Sequence, residues 1–127
     1  MFNYTFTLKG QIPSGKNAIT ITRKGLRFPN KRFLLWRNEG SRQLQFQKLY
    51  TKFGKIIDKP VSIIIDYYKG DLRRRDVPGM LDALWHLLEY NKIITDDKWL
   101  GEENCEVIFK NKGLDRKNPR VEITIKD

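Results

Sequence analysis

The chain has 127 residues, with 25 Lys and Arg against 15 Asp and Glu, and a formal net charge of +10. That length suits a single domain, residues 1–127, able to bury a core without disulfides or a structural metal. A hydrophobic content of 39% and an aromatic share of 12% argue against disorder, and the excess of cations favours nucleic acid, an acidic partner or an anionic surface.

Phe2, Tyr4, Phe6 and Leu8 alternate with polar residues, so the chain is expected to open on a strand rather than on the basic segment and apolar run of a signal peptide. Pro13-Ser14-Gly15 ends that strand in a turn. Ala18–Thr22 and Leu26–Phe28 flank Arg23-Lys24-Gly25 and predict a hairpin. From about Phe33 to Phe53 the spacing becomes helical. Leu44, Leu49 and Phe53 are expected on one face with Trp36 and Phe46 nearby, and Gly40 weakens the first half.

After Pro60, the β-branched and aromatic run Val61–Tyr68 predicts a central strand. A second helix is expected to start with Asp76 as N-cap and Pro78 in the first turn. Met80, Leu84, Leu87 and Leu88 fall on one face of it, with Val77 and Leu81 beside them and Asp82, His86 and Glu89 opposite. Trp85 at the edge of the apolar face reads as core, and Trp99 as core or an interface anchor. Closing strands are expected near Cys105–Phe109 and Arg120–Ile125. The order of elements predicts an α/β (α+β) domain, one mixed sheet with about two main helices packed mainly on one face.

Cys105 is the only cysteine, which excludes an internal disulfide and a thiolate metal cluster and points to a reducing, cytoplasmic setting. No apolar run approaches membrane-spanning length, so no membrane partner is expected. The Gly-x-x-x-x-Gly-Lys-Ser/Thr loop is incomplete, since Gly10 to Lys16 has its spacing but Asn17 stands where Ser or Thr is required, no Gly-x-Ser-x-Gly elbow is present, and no small-molecule cofactor is expected.

Chemistry concentrates between Asp71 and Asp97. Asp71, Asp76, Asp82, Asp96 and Asp97 lie in or beside the loops around one helix. Hard divalent cations take oxygen ligands, and Mg²⁺ commonly takes one or two protein carboxylates with water and substrate phosphate. Taken singly, each has a plainer reading: Asp76 as a helix cap, Asp96-Asp97 as a solvated turn. Arg73-Arg74-Arg75 offers the planar forks that grip phosphate bidentately, against the plainer reading of an exposed basic loop. His86, the only histidine, lies one turn beyond Asp82. It is a surface residue or an outer partner that orients a ligand carboxylate.

Asp71-Leu-Arg-Arg-Arg-Asp76 followed by Asp96-Asp97, with Leu81-Asp-Ala-Leu84 between them, resembles the signature of the RusA-type Holliday-junction resolvases, small phage and prophage endonucleases. That signature runs Asp, basic residues, Asp-x-Asp-Asn, a lysine one turn on, and an Asp-Asp pair after the helix. The resemblance implies a homodimer that binds four-way DNA junctions and nicks two opposed strands with Mg²⁺ or Mn²⁺, in the service of recombination and repair. By match, Asp76 is the first family carboxylate and Asp97 the one from the pair, with Asp96 beside it as a further candidate ligand.

Here the family's second Asp falls on Pro78, its Asn on Gly79 and its lysine on Asp82. Asp82, four residues beyond Pro78 on the same side of the helix, is the candidate replacement ligand. Lys16, after the first strand, or Lys98 is the candidate for the missing lysine charge. Lys24, Arg27, Lys31, Arg32 and Lys69 join Arg73, Arg74 and Arg75 as candidate DNA-binding residues. The alternative is a catalytically weakened protein of the same fold that binds junctions or other nucleic acid without cutting. A third possibility is an unrelated basic α/β protein, such as a binder of single-stranded nucleic acid, with no preference for junctions.

Overall fold

Alternating apolar residues bring together four strands that lie far apart in the chain. The computed structural model describes residues 2–13, 19–21 and 23–127. In chain order its elements are strand β1 (Asn3–Lys9), β2 (Ile19–Ile21), β3 (Arg27–Pro29), helix α1 (Lys31–Tyr50), β4 (Ser62–Lys69), helix α2 (Val77–Tyr90), a 3-10 turn at Asp97–Trp99, β5 (Val107–Leu114) and β6 (Arg120–Lys126). The mixed sheet has the order β1-β6-β4-β5, and β2 and β3 form a separate hairpin. β6 runs antiparallel to both β1 and β4, whereas β4 and β5 are parallel and joined through α2. A parallel pair needs such a crossover, because a tight turn cannot return the chain in the same direction.

Burial follows the alternation. Ile63, Ile65 and Tyr67 of β4, Phe6 and Leu8 of β1, and Val121, Ile123 and Ile125 of β6 all point into one core. α2 lays Met80, Ala83, Leu84, Leu87 and Leu88 onto that face, an i, i+3, i+4, i+7, i+8 stripe. Among the described residues no helix is long and apolar enough to cross a membrane.

α1 behaves differently from its expected pattern. Phe33, Gly40 and Leu44 are buried, but Leu49 and Phe46 are 83% and 70% exposed, so those two do not share the inward face. The helix runs along the free edge of β1, and its hydrogen bonds there come from side-chain amides. Gln47 accepts from the Thr7 N–H at 2.7 Å and donates to the Thr7 carbonyl at 2.6 Å, and Gln43 accepts from the Lys9 N–H at 2.8 Å. These side chains stand in for a neighbouring strand and block edge-to-edge pairing. Nor does Gly40 interrupt α1. It marks the crossing with α2, where a Cβ would stand 2.9 Å from a Leu87 methyl. The last sheet edge also differs: Cys105 lies in the turn before β5, which begins at Val107 and runs on to Leu114.

Candidate metal and nucleic-acid site

The polar face of α2 carries Asp82, His86 and Glu89, all exposed. Asp82 and Glu89 are seven residues apart, two turns on one face. The chain reverses sharply after the helix. Asn91 closes α2, Lys92 takes a left-handed backbone (φ 56°), and the Ile93 N–H returns to the Leu88 carbonyl at 2.9 Å. Asn91 is buried and fixes this reversal. Its side-chain NH₂ donates to the Leu87 carbonyl and to Ser41 Oγ, and its side-chain oxygen accepts from Gln45. The returning strand segment is then pinned to the preceding loop, with the Thr95 N–H donating to the Ile57 carbonyl at 2.9 Å.

This return delivers Asp96 and Asp97 to Glu89. The Asp97 N–H donates to Glu89 Oε1 at 2.7 Å, and Asp96 caps the short turn by accepting from the Lys98 N–H at 2.8 Å. One carboxylate oxygen from each of Glu89, Asp96 and Asp97 lies within 4.8 Å of the others. Partial burial raises the Asp97 carboxyl above its ordinary value. The nearby charges of Glu89, Asp96 and Asp82, and a hydrogen bond with Asp96, raise it further. Asp82 therefore belongs to the same electrostatic neighbourhood. A close set of hard oxygen donors suits a divalent cation such as Mg²⁺ or Mn²⁺ in ligand type and charge.

The expected site residues divide as follows. Asp96 and Asp97 come together, whereas Asp82 is outside the group of three carboxylates and reaches Asp97 only through its charge. Glu89 joins them, although the sequence pattern marked it only as part of the polar face. Asp76 occupies the N-cap position of α2, but its carboxylate does not cap the first turn. It lies 13 residues before Glu89, about 20 Å along the axis at 1.5 Å per residue, and it is not one of the three closest carboxylates. Lys16 lies outside the described residues. Lys98 is exposed beside the cluster, with its ammonium 4.8 Å from the Trp99 ring centre, and Trp99 Nε1 donates to Thr95 Oγ1.

His86 does not stand alone on the surface. Its ring lies 5.4 Å from Phe33 and 5.9 Å from Tyr90, and Arg37 covers the Tyr90 ring at 4.4 Å. Partial burial and the Arg37 charge lower the His86 value, with Glu89 opposing them, so the imidazole is held towards its neutral form. The cations are not equivalent either. Asp71 accepts from the Arg73 N–H and takes both of its short contacts with Arg75 from Nη2, at 2.9 and 3.1 Å. Arg75 is therefore a braced cation, while Arg73 and Arg74 remain exposed. Lys24, Arg27, Lys31 and Arg32 are exposed on the hairpin and the first turn of α1, and Lys69 is half-buried at the end of β4. No family model matches the chain, and a comparison with curated proteins finds no match.

Proposed function

We propose that this protein is a metal-dependent, structure-specific endodeoxyribonuclease that acts on four-way DNA junctions as a two-fold dimer. The observation that carries the reading is the convergence of Glu89, Asp96 and Asp97 within 4.8 Å on a strongly basic chain. Of the motifs that resemble the RusA-type signature, the Asp96-Asp97 pair lies in this cluster and supports the same chemistry, whereas Asp76, the signature's first carboxylate, lies at the opposite end of α2. A divalent ion held by Glu89, Asp96 and Asp97 would supply an activated water and positive charge for the leaving oxygen. In this reading Asp82, outside the ligand set, would accept the proton of the attacking water, and Lys98 would neutralise phosphate charge. Arg73 and Arg74 hold the backbone through counterion-releasing contacts that carry no sequence information.

Pro78, in the place of a family carboxylate, favours a second reading in which the protein binds junctions without cutting them. A synthetic four-way junction and a linear duplex of the same sequence, each incubated with Mg²⁺ or Mn²⁺, separate the two. Paired nicks confined to the junction and abolished by EDTA are the expected result. Tight junction binding with no nicks under any metal assigns the protein to the non-cutting reading. Equal affinity for both DNAs removes the junction from the proposal altogether.

A further inference from the structure

A cleft of about 180 Å³ opens at the opposite end of α2 from the carboxylates. It lies where the parallel strands β4 and β5 end, against the first turn of α2. Ligands of open α/β layers commonly bind outside the carboxyl ends of parallel strands. The floor is aromatic and apolar. Tyr67 and Met80 are 3% and 2% exposed, and Phe109 is tilted against Tyr67 with ring centres 5.7 Å apart. The walls are cationic: Lys69 at the strand end and the consecutive guanidinium groups Arg73 to Arg75. Asn111 stands exposed on the rim. Arg75 is fixed by Asp71, yet its Nε is buried and, among the described residues, has no hydrogen-bond partner. A buried donor of this kind is costly unless something accepts from it.

We infer that this cleft is a subsite for one unpaired nucleotide of a DNA strand, distinct from the carboxylate cluster. Its base packs on Phe109, which Tyr67 backs from the core, its phosphate meets the arginines, and its edge faces Asn111. The two halves of the cleft argue for this ligand together. A bare phosphate has no use for an aromatic floor, and an apolar ligand has no use for four cations. A nucleotide needs both, because every base has a stacking face and every linkage a negative charge. Asn111 adds an amide whose donor and acceptor match the adenine edge best. The distance along α2 from the cleft at Val77 to Glu89 is about 18 Å, or about five nucleotide steps of a B-form strand. The base held here is thus remote from the bond that the carboxylates address. This inference rests on the DNA reading proposed above and adds a position at which the enzyme senses unpairing and base identity.

The test uses the full chain and fluorescein-labelled single-stranded 12-mers, one intact and a series each carrying one abasic site. Affinity is measured by anisotropy at fixed salt. One abasic position is expected to weaken binding by about 5- to 100-fold, the range for loss of one base–aromatic stack, while the others leave it unchanged. Phe109→Ala is expected to erase that difference while keeping the salt dependence. Asn111→Ala, an exposed substitution that leaves the floor intact, is expected to flatten base preference at the same position. If the abasic series binds the wild type uniformly, or if Phe109→Ala discriminates as well as the wild type, the subsite is overturned. Junction nicking is scored in parallel. Nicking without base discrimination removes the subsite alone, whereas discrimination without nicking removes the nuclease and leaves the subsite standing.

Discussion

Replacing Asp97 with Asn keeps the shape of the side chain and removes one negative charge from the crowded end of α2. With oxygens within 4.8 Å, each repulsive pair in a water-like dielectric amounts to about 0.9 kcal/mol by Coulomb's law, less as salt screens it. Asp97 faces two such neighbours, Glu89 and Asp96, so the metal-free Asp97→Asn protein is expected to be more stable by about 1 kcal/mol at low salt. For a chain of this size that is about 3–5 °C in melting temperature. Divalent metal is expected to do the reverse across the pair. At a hundred times its dissociation constant, Mg²⁺ stabilises the wild type by about 2.7 kcal/mol and leaves Asp97→Asn nearly unmoved, since a ligand is gone.

The pH dependence follows from the raised Asp97 carboxyl. Its folded value lies above the unfolded one, so its contribution to stability is complete below the unfolded value and is lost as pH rises through the folded value. Metal affinity climbs over that same window, because ligation needs the ionised form. Differential scanning fluorimetry with EDTA or Mg²⁺, at matched ionic strength, reads both effects. A wild-type melting temperature unmoved by Mg²⁺, or an equal Mg²⁺ shift in Asp97→Asn, would refute the metal site.

Other parts of the structure make separate predictions. Asn91→Ala removes three buried side-chain contacts and is expected to cost about 2–3 kcal/mol, read as a lower urea midpoint with an unchanged slope. Gln47→Ala leaves the Thr7 N–H and carbonyl without their partners. It is expected to cost about 1–2 kcal/mol and to increase aggregation from the β1 edge, which light scattering would follow. Lys92→Gly relieves a left-handed backbone at φ 56° and is expected to raise stability by about 0.5–1 kcal/mol after the added flexibility of the unfolded chain is offset. Arg74→Glu is expected to weaken DNA binding for all sequences alike and to lower the slope of log affinity against log salt by about 1; a salt-independent affinity would contradict the phosphate role.

The sheet and α2 were readable because each repeats one simple period. Ile63, Ile65 and Tyr67 alternate into the core, and Met80, Ala83, Leu84, Leu87 and Leu88 recur at helical spacing. α1 was readable as a helix but not in its orientation. Its inner side satisfies the edge of β1 with Gln43 and Gln47, so apolar periodicity points the wrong way and assigns Leu49 and Phe46 inward. In the candidate site the Asp96-Asp97 pair was visible as neighbours in the chain. Their meeting with Glu89 was not, because it depends on the left-handed Lys92 and on Asn91 reversing the chain against α2. A two-turn spacing from Asp82 to Glu89 was the available signal, and by itself it describes any solvated helix face.

The position of this cluster bears on its purpose. Glu89 lies in the last turn of α2, a turn that contains no basic residue. The helix macrodipole leaves partial negative charge at that end, so a carboxylate there is disfavoured even before Asp96 and Asp97 arrive. Two independent repulsions therefore converge on one point of the surface, and a backbone hydrogen bond from Asp97 to Glu89 holds the groups there. The first turn of the helix, where the dipole has the opposite sign, holds no acidic residue beyond its N-cap Asp76, and the arginines precede it. The outcome is a molecule with cations and an aromatic cleft at one end of α2 and unneutralised oxygens at the other. A divalent cation bound there would offset both repulsions at once, which is the physical ground for the metal centre proposed at this end of the helix.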